Sequence, residues 1–230
     1  MSTKLIEILL IEIKKLFDDL ILHEKKRDKI VSKIDRMRKK DKIPDEQFME
    51  LVNRYHDIAV KRRKYRVARK LIKSYNLGSD KLIMVSLSEI EVLLKQIAFN
   101  PQIDEPFILI KKIRKKDKVP DEHFMGLVER YYNNAMDQKN FAIARKLIEN
   151  YNLGSDRLIV VSMGEIELLL RRIALGRLQS NELFKQIDKI KKKNKIPHEK
   201  FMELISRYCD IAVQKEKYEL AKKIARRYKL

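Results

Sequence analysis

The stretch Leu77-Gly78-Ser79-Asp80-Lys81-Leu82-Ile83 returns 76 residues later as Leu153-Gly154-Ser155-Asp156-Arg157-Leu158-Ile159. A fainter copy, Ser2-Thr3-Lys4-Leu5-Ile6, stands at the start. Working outward, Ile43-Pro44-Asp45 returns as Val119-Pro120-Asp121 and Ile196-Pro197-His198. Phe48-Met49 returns as Phe124-Met125 and Phe201-Met202. Such self-similarity marks repeated supersecondary units. The units read as 1–77, 78–153 and 154–230, in one continuous domain.

Each unit reads as four amphipathic helices. The first carries Ile13, Leu16, Phe17 and Leu20, matched by Ile90, Leu93, Leu94, Ile97 and by Ile166, Leu169, Leu170, Ile173. That is the i, i+3, i+4, i+7 stripe of a helix with one buried face. The second carries Val31, Ile34 and Met37. The third opens at Pro44, with Asp45 and Glu46 at the positive helix end, then Phe48, Leu51, Val52 and Tyr55. The fourth carries Tyr65, Ala68, Leu71, Ile72 and Tyr75. Gly78 and Gly154 suit a helix C-cap, and Ser79 and Ser155 the next N-cap. No stretch alternates at period two. The spacing predicts an all-α chain of about twelve helices, arranged as a right-handed α-solenoid of about six hairpins, with a compact pseudo-threefold bundle as the alternative.

Composition narrows the class. The 230 residues include 53 Lys and Arg against 33 Asp and Glu, a net charge of +20, and 37% are charged. Gly and Pro are too few for collagen or low-complexity disorder. Cys209 is alone, so no disulfide forms within the chain, and a cytoplasmic home is expected. The most apolar stretch, Leu5 to Ile13, already holds Glu7 and Glu12, so no membrane span or signal peptide is expected.

The segment Phe48 to Leu77 resembles a tetratricopeptide or pentatricopeptide hairpin. Phe48-Met49-Glu50-Leu51-Val52-Asn53-Arg54-Tyr55 is similar to the first-helix pattern of the pentatricopeptide family, and Tyr65-x-x-Ala68 to the start of its second helix. Phe124 to Leu153 and Phe201 to Leu230 repeat the likeness, which covers about 90 residues. It implies a helical-hairpin repeat. The family's base-reading polar position holds Met49, Met125 and Met202, and methionine cannot hydrogen-bond a base edge.

Charge gives the functional clue. The three units hold 22, 12 and 19 basic residues against 12, 11 and 10 acidic ones. Certain positions are basic in every copy. Lys4, Lys81 and Arg157 match, as do Arg36, Lys112 and Lys189. The cluster Arg38, Lys39, Lys40 matches Arg114, Lys115, Lys116 and Lys191, Lys192, Lys193. Lys42 matches Lys118 and Lys195, and Arg54 matches Arg130 and Arg207. The pair Arg69, Lys70 matches Arg145, Lys146 and Lys222, Lys223. In a stacked repeat these positions align into a basic track suited to a polyanion backbone. The competing reading is helix-end charge at the negative dipole end, with Arg54 on Glu50 and Arg207 on Glu203, on a Lys-rich, thermophile-like surface.

Catalytic signals are missing from the sequence. His23, His56, His123 and His198 have no partner at metal-ligand spacing, and no phosphate-binding loop or nucleophile motif occurs. Cys209, beside core Tyr208, reads as a packed thiol. The expectation is a non-enzymatic protein without cofactor or metal, whose partner is nucleic acid (DNA or RNA) or, alternatively, an acidic protein segment.

Overall fold

In a computed structural model, residues 3–174 and 180–230 are described. Twelve α-helices follow one another, and no strand occurs among the described residues. They are α1 (Thr3–Leu22), α2 (Arg27–Lys40), α3 (Asp45–Lys61), α4 (Tyr65–Tyr75), α5 (Ser79–Phe99) and α6 (Glu105–Asp117). Then come α7 (Asp121–Asp137), α8 (Phe141–Tyr151), α9 (Ser155–Ala174), α10 (Ser180–Lys193), α11 (His198–Gln214) and α12 (Tyr218–Tyr228). A short 3-10 turn, Glu24–Lys26, precedes α2. The chain is all-α. Helices of 17 and 11 residues recur as α3–α4, α7–α8 and α11–α12.

Turns explain the helix ends. Phe48, Phe124 and Phe201 each donate their N–H to the carbonyl of the turn proline, at 3.1 Å in all three. The helices therefore begin one residue later than expected, with Pro44 and Pro197 as N-caps at φ near −55° (−56° and −54°). The C-cap after α4 and α8 is also displaced. Asn76 and Asn152, both at φ +51°, take the left-handed conformation that closes the helix, and Gly78 and Gly154 follow at φ +93° and +98°. Asparagine tolerates this region because its short amide finds local hydrogen bonds. Ser79 and Ser155 are the first residues of α5 and α9, not caps before them.

The helices group into two compact units, Met1–Ile97 with Gln102–Leu127 and Ala98–Pro101 with Val128–Leu230. These boundaries differ from the sequence units. In the first, Phe17 stacks on Tyr55 at 4.9 Å between ring centres, and Phe48 meets Tyr75 edge-on at 5.3 Å. In the second, Phe201 meets Tyr228 edge-on at 5.4 Å, the matched pair in nearly matched geometry. Each such pair is worth about 1 kcal/mol beyond burial. The Tyr55 hydroxyl lies 2.9 Å from Asp18 Oδ1 and ties α3 to α1. Burial, then this carboxylate, pushes its pKa up to about 12.

Two glycines inside helices test the packing. Gly126 sits in α7 with open space where a Cβ would point, so Gly126→Ala gains helix propensity at no steric cost. In α9, a Cβ on Gly164 would fall onto the ring of Phe141. Thermal unfolding should show Gly126→Ala stabilised by about 1 kcal/mol. Gly164→Ala should lose that gain and more, and pairing it with Phe141→Leu should recover it.

Candidate functional site

The recurring cations divide by what they touch. Arg38 sits in the last turn of α2, where its guanidinium donates to Asp45 Oδ1 at 2.7 Å and lies 4.6 Å from the centre of the Phe48 ring. Arg114 clasps Asp121 in the same way and lies 3.9 Å from Phe124. Lys191 sits 4.1 Å from Phe201, with His198 in the acid's place, its Nδ1 3.5 Å from the ammonium. All three clip a helix C-terminus to the next N-terminus across a buried ring. Lys42, Lys118 and Lys195 occupy left-handed turn positions at φ +46°, +51° and +49°. Arg207 lies 3.5 Å from Glu167, not on Glu203. Arg130 lies over Tyr131, and Arg36 donates to the Ser32 carbonyl. Arg54 lies exposed on α3, and Lys39, Lys40, Lys115 and Lys192 stand exposed at helix ends.

Arg69 of α4 is largely covered, at 11% side-chain exposure, beside the buried Asp117 at 3%. Its Nε donates to Asp117 Oδ2 at 2.8 Å, Nη2 to Ser86 Oγ at 3.3 Å, and Nη1 lies 2.5 Å from Glu89. The Ser86 hydroxyl stands 2.7 Å from Asp117 and 2.8 Å from the Leu82 carbonyl, with one proton to give. The same clasp recurs around Arg145 of α8. Its Nη2 donates to Glu165 at 2.5 Å and to Ser162 at 3.2 Å, and Nη1 to Asn194 Oδ1 at 3.1 Å. Asn194 is neutral where Asp117 is charged. In the third copy Lys222 is exposed and pairs only one turn back, with Glu219 at 2.9 Å.

Above each clasp opens a cleft. The first, about 490 Å³, lies among α4, α5, α6 and the start of α2. Leu93, Leu109 and Ile113 supply its apolar wall, and seven cations face three acids: Arg27, Arg66, Arg69, Lys70, Lys73, Lys112 and Lys116 against Asp28, Glu89 and Asp117. Lys70 is bound to Asp28 at 2.8 Å, a contact that holds the exposed Asp28 carboxyl below its usual range. The second, about 410 Å³, lies among α8, α9 and α10. It sets Arg145, Arg172, Lys189 and Lys193 against Glu165 alone, over Leu168, Leu169 and Ile190. Lys112 and Lys116 match Lys189 and Lys193 and point from exposed helix surface. Their ammonium groups keep the hydration and freedom that an incoming anion needs, while the clasped arginines shape the floor.

Of the sequence candidates, the first cleft gathers Arg69, Lys70, Lys112 and Lys116, and the second Arg145, Lys189 and Lys193. Lys146 and Lys223 line neither; Lys223 lies 5.9 Å from the Phe184 ring. The sequence candidates leave out Arg27, Arg66, Lys73 and Arg172, because Ile103, Ala142, Glu149 and Gln96 stand at matched positions. Only proximity to a recurring cation could have flagged them.

Among the described residues, no cluster of three metal-ligating side chains occurs, and no helix is long and apolar enough to cross a membrane. Burial, with the Asp210 carboxylate adding to it, pushes the Cys209 thiol up and keeps it protonated. No family model, no curated protein and no solved structure matches this chain.

The clasps have measurable weight. Arg69→Met strands two carboxylates, one fully buried, and should cost about 3 kcal/mol or more in chemical denaturation. Arg145→Met strands only Glu165, itself partly hydrated, beside a neutral amide, and should cost about 1–2 kcal/mol. Equal losses would show that the acid at position 117 adds nothing.

Proposed function

We propose that this chain is a non-enzymatic helical-repeat binding protein that engages nucleic acid through its two cationic clefts, largely by phosphate contacts. The observation that carries the reading is the pair of matched clefts, each with a cation surplus over an apolar wall and each with two exposed lysines at equivalent positions. Lysine suits this task as a hydrated point charge that tracks a phosphate without demanding one geometry. Counterion release supplies the affinity. The large aromatic side chains mostly lie in the core, so stacking on splayed bases contributes little. Register follows backbone shape, and sequence preference is weak.

If the first cleft's surplus of four charges meets four phosphates, the logarithmic slope of affinity against salt is about −3 to −4. Affinity then falls roughly a hundredfold over a fourfold rise in salt. Fluorescence anisotropy with mixed-sequence oligonucleotides measures both. Lys112→Glu with Lys116→Glu should flatten the slope by about 2. A control of equal charge change, Lys33→Glu with Lys61→Glu, should alter it far less, because neither side chain lines a cleft. Binding flat across the salt range, or equal loss from both pairs, overturns the reading. An acidic protein that copurifies through nuclease treatment would move the assignment to a protein partner.

A further inference from the structure

The clasp joins consecutive modules: a cation on the last helix of one reaches a serine and a glutamate on the first helix of the next, and an acid or amide at the end of its second. Arg69 reaches Ser86, Glu89 and Asp117, and Arg145 reaches Ser162, Glu165 and Asn194. An aromatic side chain completes each junction. The Tyr65 hydroxyl donates to the Ser88 carbonyl, and Phe141 packs over Gly164.

The first and last modules hold complementary halves of this junction. Glu12 and Asp41 occupy the positions of the acids Glu89 and Asp117, while Lys222 occupies that of Arg69 and Arg145. Tyr218 stands at the aromatic position. Exposure separates these halves from the closed junctions. Val85 and Val161 are fully buried, yet Ile8 at the matched position is 49% exposed. Phe141 is 9% exposed, yet Tyr218 is 57% exposed. The half on α1 is also more apolar than its counterparts: Ile11 stands at the position of Ser88 and Gly164. On α12, Ala225 replaces the bulkier Ile72 and Ile148.

We propose that α12 of one copy docks on α1 of a second copy, forming a head-to-tail junction in which Lys222 faces Glu12 and Asp41 of its neighbour. The occupant follows from continuity with a junction the chain already forms twice, and from charge complementarity between one lysine and two carboxylates. Ile11 fills the seat that Gly164 leaves for Phe141, so Tyr218 settles beside it over Ile8. The interface is heterologous, and such contacts close into rings or continue as filaments. Repulsion between chains of charge +20 opposes docking, and salt screens that repulsion. Added salt therefore strengthens this association while it weakens phosphate binding, so the two readings fail separately.

Light scattering on nuclease-treated protein across a concentration series tests it. The weight-average mass should rise from that of one chain to at least twice that value, and rise further with salt. Lys222→Glu alone, and Glu12→Lys with Asp41→Lys, should each hold the mass at one chain, because like charges then meet. An equimolar mixture of the two variants should restore the rise, since each tail now finds an opposite head. That rescue separates a broken interface from a misfolded variant. Wild-type protein that stays at one chain throughout, association unaffected by Lys222→Glu, or a mixture that fails to recover overturns the proposal.

Discussion

An eleven-residue helix does not hold itself in water, because the ordering of its first turn is barely repaid over so short a length. Three such helices, α4, α8 and α12, depend on burying a stripe against neighbours. Tyr75 and Tyr228 anchor two of them edge-on against Phe48 and Phe201, rings with no exposed surface. That dependence organises the turns as well. The residue that enters each Phe-bearing helix is a proline whose carbonyl takes the phenylalanine N–H, and the cation over the ring comes from the helix before it. Ring, turn and cation form one device, used three times.

The cations therefore serve two ends. Arg38, Arg114 and Lys191 are spent on the fold, and their recurrence follows from the recurring ring beneath them. Arg69 and Arg145 are spent on junctions, where their planar forks reach three partners at once. A covered ion pair is costly to desolvate, and one is retained at the first junction with two acids, the buried Asp117 among them, and at the second, partly hydrated, with an acid and an amide. What remains for a ligand is the exposed rim, chiefly Lys112, Lys116, Lys189 and Lys193. Lys116 and Lys193 also stand in the last turns of α6 and α10, where a cation suits the helix dipole, whereas Lys112 and Lys189 lie before the last turn and clasp no ring or junction.

Helix content and order were legible because the apolar spacing is strict and each stripe appears three times, as in Ile13, Ile90 and Ile166. The turn proline was legible too, displaced by one residue. Cap positions were not: glycine carries the stronger sequence signal for a left-handed residue, but Asn76 and Asn152 stand where the helix geometry ends and take that conformation first. Charge was legible as recurrence and illegible as role. Arg38 and Lys112 look alike in the sequence, and only a ring and a carboxylate within reach of one distinguish them. Arg27, Arg66, Lys73 and Arg172 escaped because none recurs as a cation in all three copies, and proximity in the fold rather than periodicity brings them to a cleft.

The proposed phosphate binding and the proposed head-to-tail docking use different side chains, so a single chain accommodates both. They are nevertheless coupled through charge. Bringing two chains of +20 together costs electrostatic work, and a polyanion seated on the cleft lysines removes part of it. Linkage is reciprocal: whatever a bound polyanion contributes to docking, docking returns as tighter polyanion binding. The gain is largest for a strand long enough to occupy clefts on more than one copy, because the second contact is then made at high effective concentration. A long polyanion would therefore suit the proposed clefts better than a short one, since a mononucleotide neutralises too little charge and cannot bridge.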